Sequence, residues 1–153
     1  LFEADGDENV SRAEIPPLDI LLAEDNKVNQ KFAIRTLRRH GHEVTLAQTG
    51  AEAVDLFQQR AFDVILMDVQ MPEMDGLEAT RLIREQEQGE DRHIPIIAMT
   101  AHAMKGDRER CLSVGMDGYV TKPLKVGALF DELSRLLGSP SAPGEKANEL
   151  DGE

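Results

Sequence analysis

The chain has 153 residues, with 17 Lys+Arg against 29 Asp+Glu and a net charge of −12. That length suits one domain with a single sizeable core, and that charge excludes an electrostatic footprint for nucleic acid or for direct contact with an anionic membrane. No apolar run approaches a membrane span and no signal peptide is visible; a lone Cys111 cannot close an internal disulfide, which fits a reducing cytoplasm.

Residues 1–17 hold five acids and one base and end in Pro16-Pro17, so they read as an acidic linker. Residues 139–153, rich in Ser, Pro, Gly and acids, read as a flexible acidic tail, and the two segments together carry −7 of the −12. A start at Leu1 rather than Met suggests a piece of a longer protein. Asp5-Gly6-Asp7-Glu8-Asn9 resembles the opening of a calcium loop, but the sixth position is Val10 where Gly is needed, and the twelfth is Pro16 where Glu is needed.

The folded part is expected over residues 18–138. Leu18 to Ala23 is a mostly apolar run that ends in Glu24-Asp25 and reads as a strand. Asn26 caps a helix from Lys27, with Val28, Phe32, Ala33 and Leu37 expected inward and Gly41 as the stop. Glu43–Ala47 is a second short strand, and Thr49-Gly50 opens a helix that turns Ala53, Val54 and Phe57 inward. Phe62 to Met67 is a third strand, β-branched and too short for a helix, halted at Asp68; Pro72 and Gly76 then mark a loop. A helix follows from Gly76 to about Glu87, a polar loop to His93, and a fourth strand from Ile94 to Met99 that ends at Thr100. A helix from about His102 to Val114 stops at Gly115, a fifth strand covers Gly118–Thr121 before Lys122-Pro123, and a last helix carries Val126, Leu129, Phe130, Leu133, Leu136 and Leu137 on one face.

Five strands alternating with five helices predict a parallel sheet covered on both faces. The flavodoxin-like order 2-1-3-4-5, the familiar one for five such strands, sets the first and third side by side at the switch point. Glu24, Asp25, Asp68, Thr100 and Lys122 then meet on the carboxyl edge of the sheet. Taken singly, Asp68 is equally a turn cap, Thr100 a cap and Lys122 a surface residue. Taken together, three crowded carboxylates call for a cation, and oxygen ligands suit Mg2+. A carboxylate such as Asp68 can act as a nucleophile and carry an aspartyl phosphate, with Lys122 and Thr100 as donors to the phosphoryl oxygens.

These segments, Ile20-Leu21-Leu22-Ala23-Glu24-Asp25-Asn26, Val64 to Gly76, Ala98-Met99-Thr100-Ala101 and Gly118-Tyr119-Val120-Thr121-Lys122-Pro123, resemble a response-regulator receiver domain of two-component signalling. The resemblance implies a flavodoxin-like (βα)5 sandwich with Asp68 as phosphoacceptor. Mg2+ would be held by Asp25, Asp68, Glu24 through water, and the main-chain carbonyl of Gln70. Thr100 and Lys122 would bind the phosphoryl group, Lys122-Pro123 would be a cis peptide, and Tyr119 would reorient on activation. Gln70 and His102 lie at positions that tune hydrolysis. The Met67 to Gly76 segment and Ala101-His102-Ala103-Met104 are most similar to receiver modules of hybrid sensor histidine kinases. The implied flow is from a phosphohistidine donor to Asp68 and onward to a histidine phosphotransfer domain, on a monomeric cytoplasmic module of a parent that is itself a sensor kinase.

A stand-alone response regulator is the alternative within the family. Haloacid-dehalogenase-type phosphatases need a second Asp two residues after the nucleophile, and Gln70 stands there. A flavin binder needs hydroxyl and Gly residues after the first strand, where Glu24-Asp25 would repel phosphate. His40, His42, His93 and His102 show no zinc spacing and read as solvent-facing or packing residues.

Overall fold

Short β-branched runs bounded by polar turns become five strands: β1 (Asp19–Ala23), β2 (Glu43–Ala47), β3 (Val64–Asp68), β4 (Ile96–Thr100) and β5 (Gly118–Thr121). All pair in parallel, in the order β2-β1-β3-β4-β5. The structure, a computed structural model, describes residues 15–90, 92–101 and 105–137, apart from the side chain of Lys105. The calcium-like segment of residues 5–9, the acidic flanks over residues 1–14 and 138–153, His102 and the Ala101 to Met104 motif beyond its first residue lie outside the described residues.

The chain divides into two compact units, Pro17–Leu124 and a second that includes Lys125 onward. In the first, the sheet is buried on both faces, as a parallel sheet with crossover helices must be. Leu21, Ala23, Ile65, Met67, Ile96 and Ala98 form one core cluster with Ala53, Val54 and Phe57 of α2 (Gly50–Gln59), Ala79 and Ile83 of α3 (Gly76–Glu87), and Cys111 of α4 (Lys105–Ser113). By strand alternation Ile20, Leu22, Val64, Leu66, Ile97 and Met99 point to the opposite face, and all are fully buried. In the second unit, α5 (Val126–Leu137) buries Leu129, Phe130 and Leu133 at i, i+1, i+4 spacing.

Caps begin the helices where the sequence puts short polar residues. The side chains of Asn26, Thr49 and Asp75 accept from the N–H groups of Asn29, Glu52 and Glu78 at 3.0, 3.1 and 2.9 Å. Gly41, at φ +93°, ends α1 (Lys27–Arg39) in the left-handed region that favours glycine.

The expected inner face of α1 is corrected by the structure. Val28 is 75% exposed and Phe32 40%, whereas Gln30, Ala33, Thr36 and Leu37 are buried. At about 100° per residue these four lie on one side and Val28 and Phe32 on the other. Gln30 can turn inward because its amide Nε2 donates to the carbonyl of Glu24 at 2.7 Å, which satisfies a buried polar group. Strand β4 starts at Ile96 rather than Ile94. Pro95 has no N–H for the ladder, though its carbonyl accepts from Ile65 N at 3.0 Å.

Helix α3 starts against the end of β3. The N–H of Gly76 donates to the carbonyl of Val69 at 2.9 Å, and a Cβ on Gly76 would stand 2.1 Å from the carbonyl oxygen of Asp68. That oxygen is backbone and cannot swing away. Gly76→Ala is therefore expected to cost at least about 2 kcal/mol, as overpacking against rigid neighbours does. Urea denaturation checks this; an unchanged midpoint would show that α3 is free to shift from β3.

Candidate functional site

Strand ends set the site. β1 stops at Ala23 and delivers Glu24 and Asp25; β3 stops at Asp68, β4 at Thr100, and β5 delivers Lys122 just beyond Thr121. Register fixes their neighbours: Ala23 faces Met67, Asp68 faces Met99, and Thr100 faces Thr121. The backbone N–H of Lys122 donates to the carbonyl of Thr100 at 2.7 Å, so those two residues are tied at the edge. The Lys122-Pro123 peptide is cis.

Glu24 and Asp68 are 1% and 3% exposed, while Asp25 is exposed. One carboxylate oxygen from each of the three lies within 4.8 Å of the others. Lys122 Nζ donates to Asp68 Oδ2 at 2.8 Å and sits 3.2 Å from Glu24 Oε1. Asp68 Oδ1 accepts the N–H of Gln70 at 3.2 Å. Glu24 Oε2 accepts from Asn26 N at 3.0 Å and Asn29 Nδ2 at 3.4 Å. Glu24 Oε1, though buried and near Lys122, has no hydrogen bond among the described residues. An oxygen-only donor set with a buried, unfilled acceptor could hold a hard cation.

Burial is the main force on Asp68. It raises the carboxyl from its usual range to about 6; the Lys122 hydrogen bond works against it, and the negative charge of Glu24 works with it. The Lys122 ammonium is pulled down by burial, but its hydrogen bond to Asp68 and the negative charges of Asp68 and Glu24 outweigh this and hold it above the usual lysine range.

A pH prediction follows from Asp68. Without divalent cation, folded Asp68 keeps its proton up to about pH 6, whereas the unfolded chain releases it near pH 4. The folded state binds more protons in that window, so this contribution to stability is lost as pH rises through it. His42 acts in the opposite sense. Burial, then the nearby His40, lowers its basicity, so its contribution is lost as pH falls below the usual imidazole range. Comparison with Asp68→Asn isolates the first effect. In EDTA, the variant should gain on the order of 2 kcal/mol relative to wild type between pH 4.5 and 6.5. Parallel pH curves for the two proteins would contradict it.

The structure brings Glu24, Asp25, Asp68, Gln70, Thr100 and Lys122 to one edge. Tyr119 stands back from them, on β5 opposite Ala98 of β4, half-buried against the core cluster. Thr100 is buried and lines a cavity of about 30 Å³ with Val69, Gln70, Leu77 and Cys111. The sequence reading missed the residues that hold Glu24 in place, Asn26, Asn29 and Gln30; the signal was their spacing directly after the two acids. It also missed two histidine roles. Buried His42 accepts the N–H of Leu18 through Nδ1 at 3.0 Å, and His93 Nε2 lies 2.7 Å from Asp117 Oδ1 at the opposite edge of the sheet. Among the described residues, no helix is long and apolar enough to cross a membrane.

By its strand order the protein is of the flavodoxin-like class, which gathers ligands at the carboxyl edge where strands one and three diverge. Residues 20–134 match the response regulator receiver domain, and the chain belongs to that family, the receivers of two-component signalling. It is 45% identical over 130 residues to the hybrid signal transduction histidine kinase I of Dictyostelium discoideum, a match that takes in 82% of this chain and 8% of that protein. The receiver domain of the sensor histidine kinase PA1611 from Pseudomonas aeruginosa PAO1, solved with a magnesium ion coordinated in its active site cleft, is 48% identical. It superposes with a TM-score of 0.73, covering 80% of this chain and 99% of that one. A chain from the Saccharomyces cerevisiae co-crystal of the phosphotransfer protein Ypd1 and the receiver domain of Ssk1 is 32% identical, with a TM-score of 0.75 over 84% of this chain and 94% of that one. The chain spans 8–14% of the length of the curated histidine kinases it matches.

Proposed function

We propose that residues 18–138 are the receiver module of a hybrid histidine kinase. Asp68 takes a phosphoryl group from a phosphohistidine and passes it to a histidine phosphotransfer domain. The observation that carries this is the convergence of buried Asp68 with Glu24, Asp25 and Lys122 at one strand edge. A hybrid kinase among the relatives supports the setting, and a receiver solved together with a phosphotransfer protein supports the partner.

Glu24, Asp25, Asp68 and the main-chain carbonyl of Gln70 would hold Mg2+, whose presence in the PA1611 receiver supports the choice of metal. When bound, it would neutralise charge on the carboxylate and on the incoming phosphoryl oxygens. An Asp68 carboxylate oxygen attacks phosphorus in line with the phosphorus–nitrogen bond. That bond breaks, its electron pair stays on the imidazole nitrogen, and an aspartyl phosphate forms. Lys122, already within 2.8 Å of Asp68, shifts its ammonium to a phosphoryl oxygen. Thr100, at the end of the next strand, offers its hydroxyl to another. Gln70, two residues beyond the nucleophile, flanks the path that water must take to hydrolyse the product.

The test is incubation with Mg2+ and acetyl phosphate, read by intact mass. A gain of one phosphoryl group in Mg2+ and none in EDTA is expected. No gain under either condition would remove the proposal.

A further inference from the structure

Tyr119 is the chain's one tyrosine, and there is no tryptophan. Its side chain packs on the core cluster shared by β1, β3, β4 and helices α2 to α4. Over its ring lies the guanidinium of Arg108, an exposed residue of α4, with its central carbon 5.8 Å from the ring centroid. That is within the range at which the negative face of an aromatic ring attracts a cation, and a planar guanidinium can also stack on the ring. The nearby Asp107 is directed elsewhere on the helix, 3.8 Å from Arg110.

We infer that Arg108 is a positioning residue for the switch: its contact holds Tyr119 in the arrangement seen here and sets how readily the ring leaves it. The inference rests on the receiver reading above and on the expectation, implied by the family resemblance, that Tyr119 reorients when a phosphoryl group on Asp68 engages Thr100. The fold supports that coupling. Ala98 faces Tyr119 and Thr100 faces Thr121 in the β4–β5 ladder, so Thr100 and Tyr119 point to the same face of adjacent strands. A contact made in only one of two arrangements shifts their ratio by its own strength. For a half-exposed cation–π pair that is about two- to fivefold.

The side chain at position 108 is thus predicted to oppose phosphorylation without touching the phosphoryl group. The sign discriminates this from a field effect. Removing a positive charge near an anion site weakens anion binding, whereas releasing Tyr119 should strengthen it.

The test uses beryllofluoride, a non-covalent phosphoryl analogue, on wild type, Arg108→Ala, Arg108→Lys and, as a neighbouring control, Glu109→Ala. Tyrosine emission reports on Tyr119 alone. Before any analogue is added, acrylamide should quench that emission more strongly in Arg108→Ala than in wild type. Arg108→Ala should then bind beryllofluoride with Mg2+ about threefold more tightly, Arg108→Lys less than that, and Glu109→Ala as wild type does. Wild-type binding with no tightening in Arg108→Ala would overturn the role of Arg108 alone. A wild type that does not bind beryllofluoride would overturn the receiver reading and this inference with it.

Discussion

Asp68→Asn should keep the fold and lose all phosphoryl uptake from acetyl phosphate. Asn fills the same space at the end of β3 and can still accept from the N–H of Gln70, which now meets Asp68 Oδ1 at 3.2 Å. An amide is a poor nucleophile and forms no stable acyl phosphate. Glu24 and Asp25 remain in the variant, but neither stands in for Asp68. Glu24 is anchored by Asn26 and Asn29 and is 1% exposed, while Asp25 is exposed and Lys122 pairs with Glu24 and Asp68 rather than with it. The variant should lose the measured mass gain entirely, with its thermal unfolding transition intact. Full labelling of Asp68→Asn at another residue would sink the assignment.

Lys122→Ala should produce the largest change in stability of the metal-free protein. Lys122 is the cation between two buried carboxylates, 2.8 Å from one and 3.2 Å from the other. Without it, Glu24 and Asp68 face each other with no compensating charge, and removing one partner of a buried ion pair costs about 3–5 kcal/mol. The cost should shrink under two conditions. At pH 5 Asp68 is already largely protonated, since burial has raised it to about 6. In Mg2+, a cation that binds only the folded cluster restores the missing charge and adds stability by mass action. Urea denaturation at pH 7.5 and pH 5, with EDTA or with Mg2+, gives the four values needed. An equal loss under all four would mean that Lys122 stabilises by packing its methylene stem rather than by charge.

The parts of this molecule that were legible in the sequence are those where one physical signal acts alone. β3 is such a case: Val64 to Met67 is buried on both faces, so the run is apolar without interruption until Asp68. The capping residues Asn26 and Thr49 are another, because their chemistry is local. Helix α1 shows where this fails. Its inner face includes Gln30 and Thr36, so counting apolar residues pointed to Val28 and Phe32 instead. Gln30 is inward because of a carbonyl six residues earlier, an acceptor that exists only once β1 has formed.

The far edge of the sheet was illegible for the same reason. Arg84 donates to the carbonyl of Gly115 at 2.9 Å and to Asp117 at 2.8 Å, and it pairs with Glu87 at 2.6 Å; Glu87 also accepts from Ile94 N. These residues are up to 33 positions apart and look like ordinary surface charges in the sequence. The network ties the end of α3 to the starts of β4 and β5, the two strands that carry Thr100 and Lys122 to the opposite edge. The site was legible as five strand-end residues, since sheet topology alone brings them together. The support beneath it was not, because it depends on side chains that meet only in the fold.

The central claim, that Asp68 carries the phosphoryl group, is tested most directly by locating the label. The protein is incubated with Mg2+ and acetyl phosphate and then treated with borohydride, which reduces an aspartyl phosphate to homoserine and leaves other carboxylates unchanged. Peptide mass spectrometry should find homoserine at position 68 alone. Homoserine at Asp25 or at another acid, with Asp68 intact, would contradict the account.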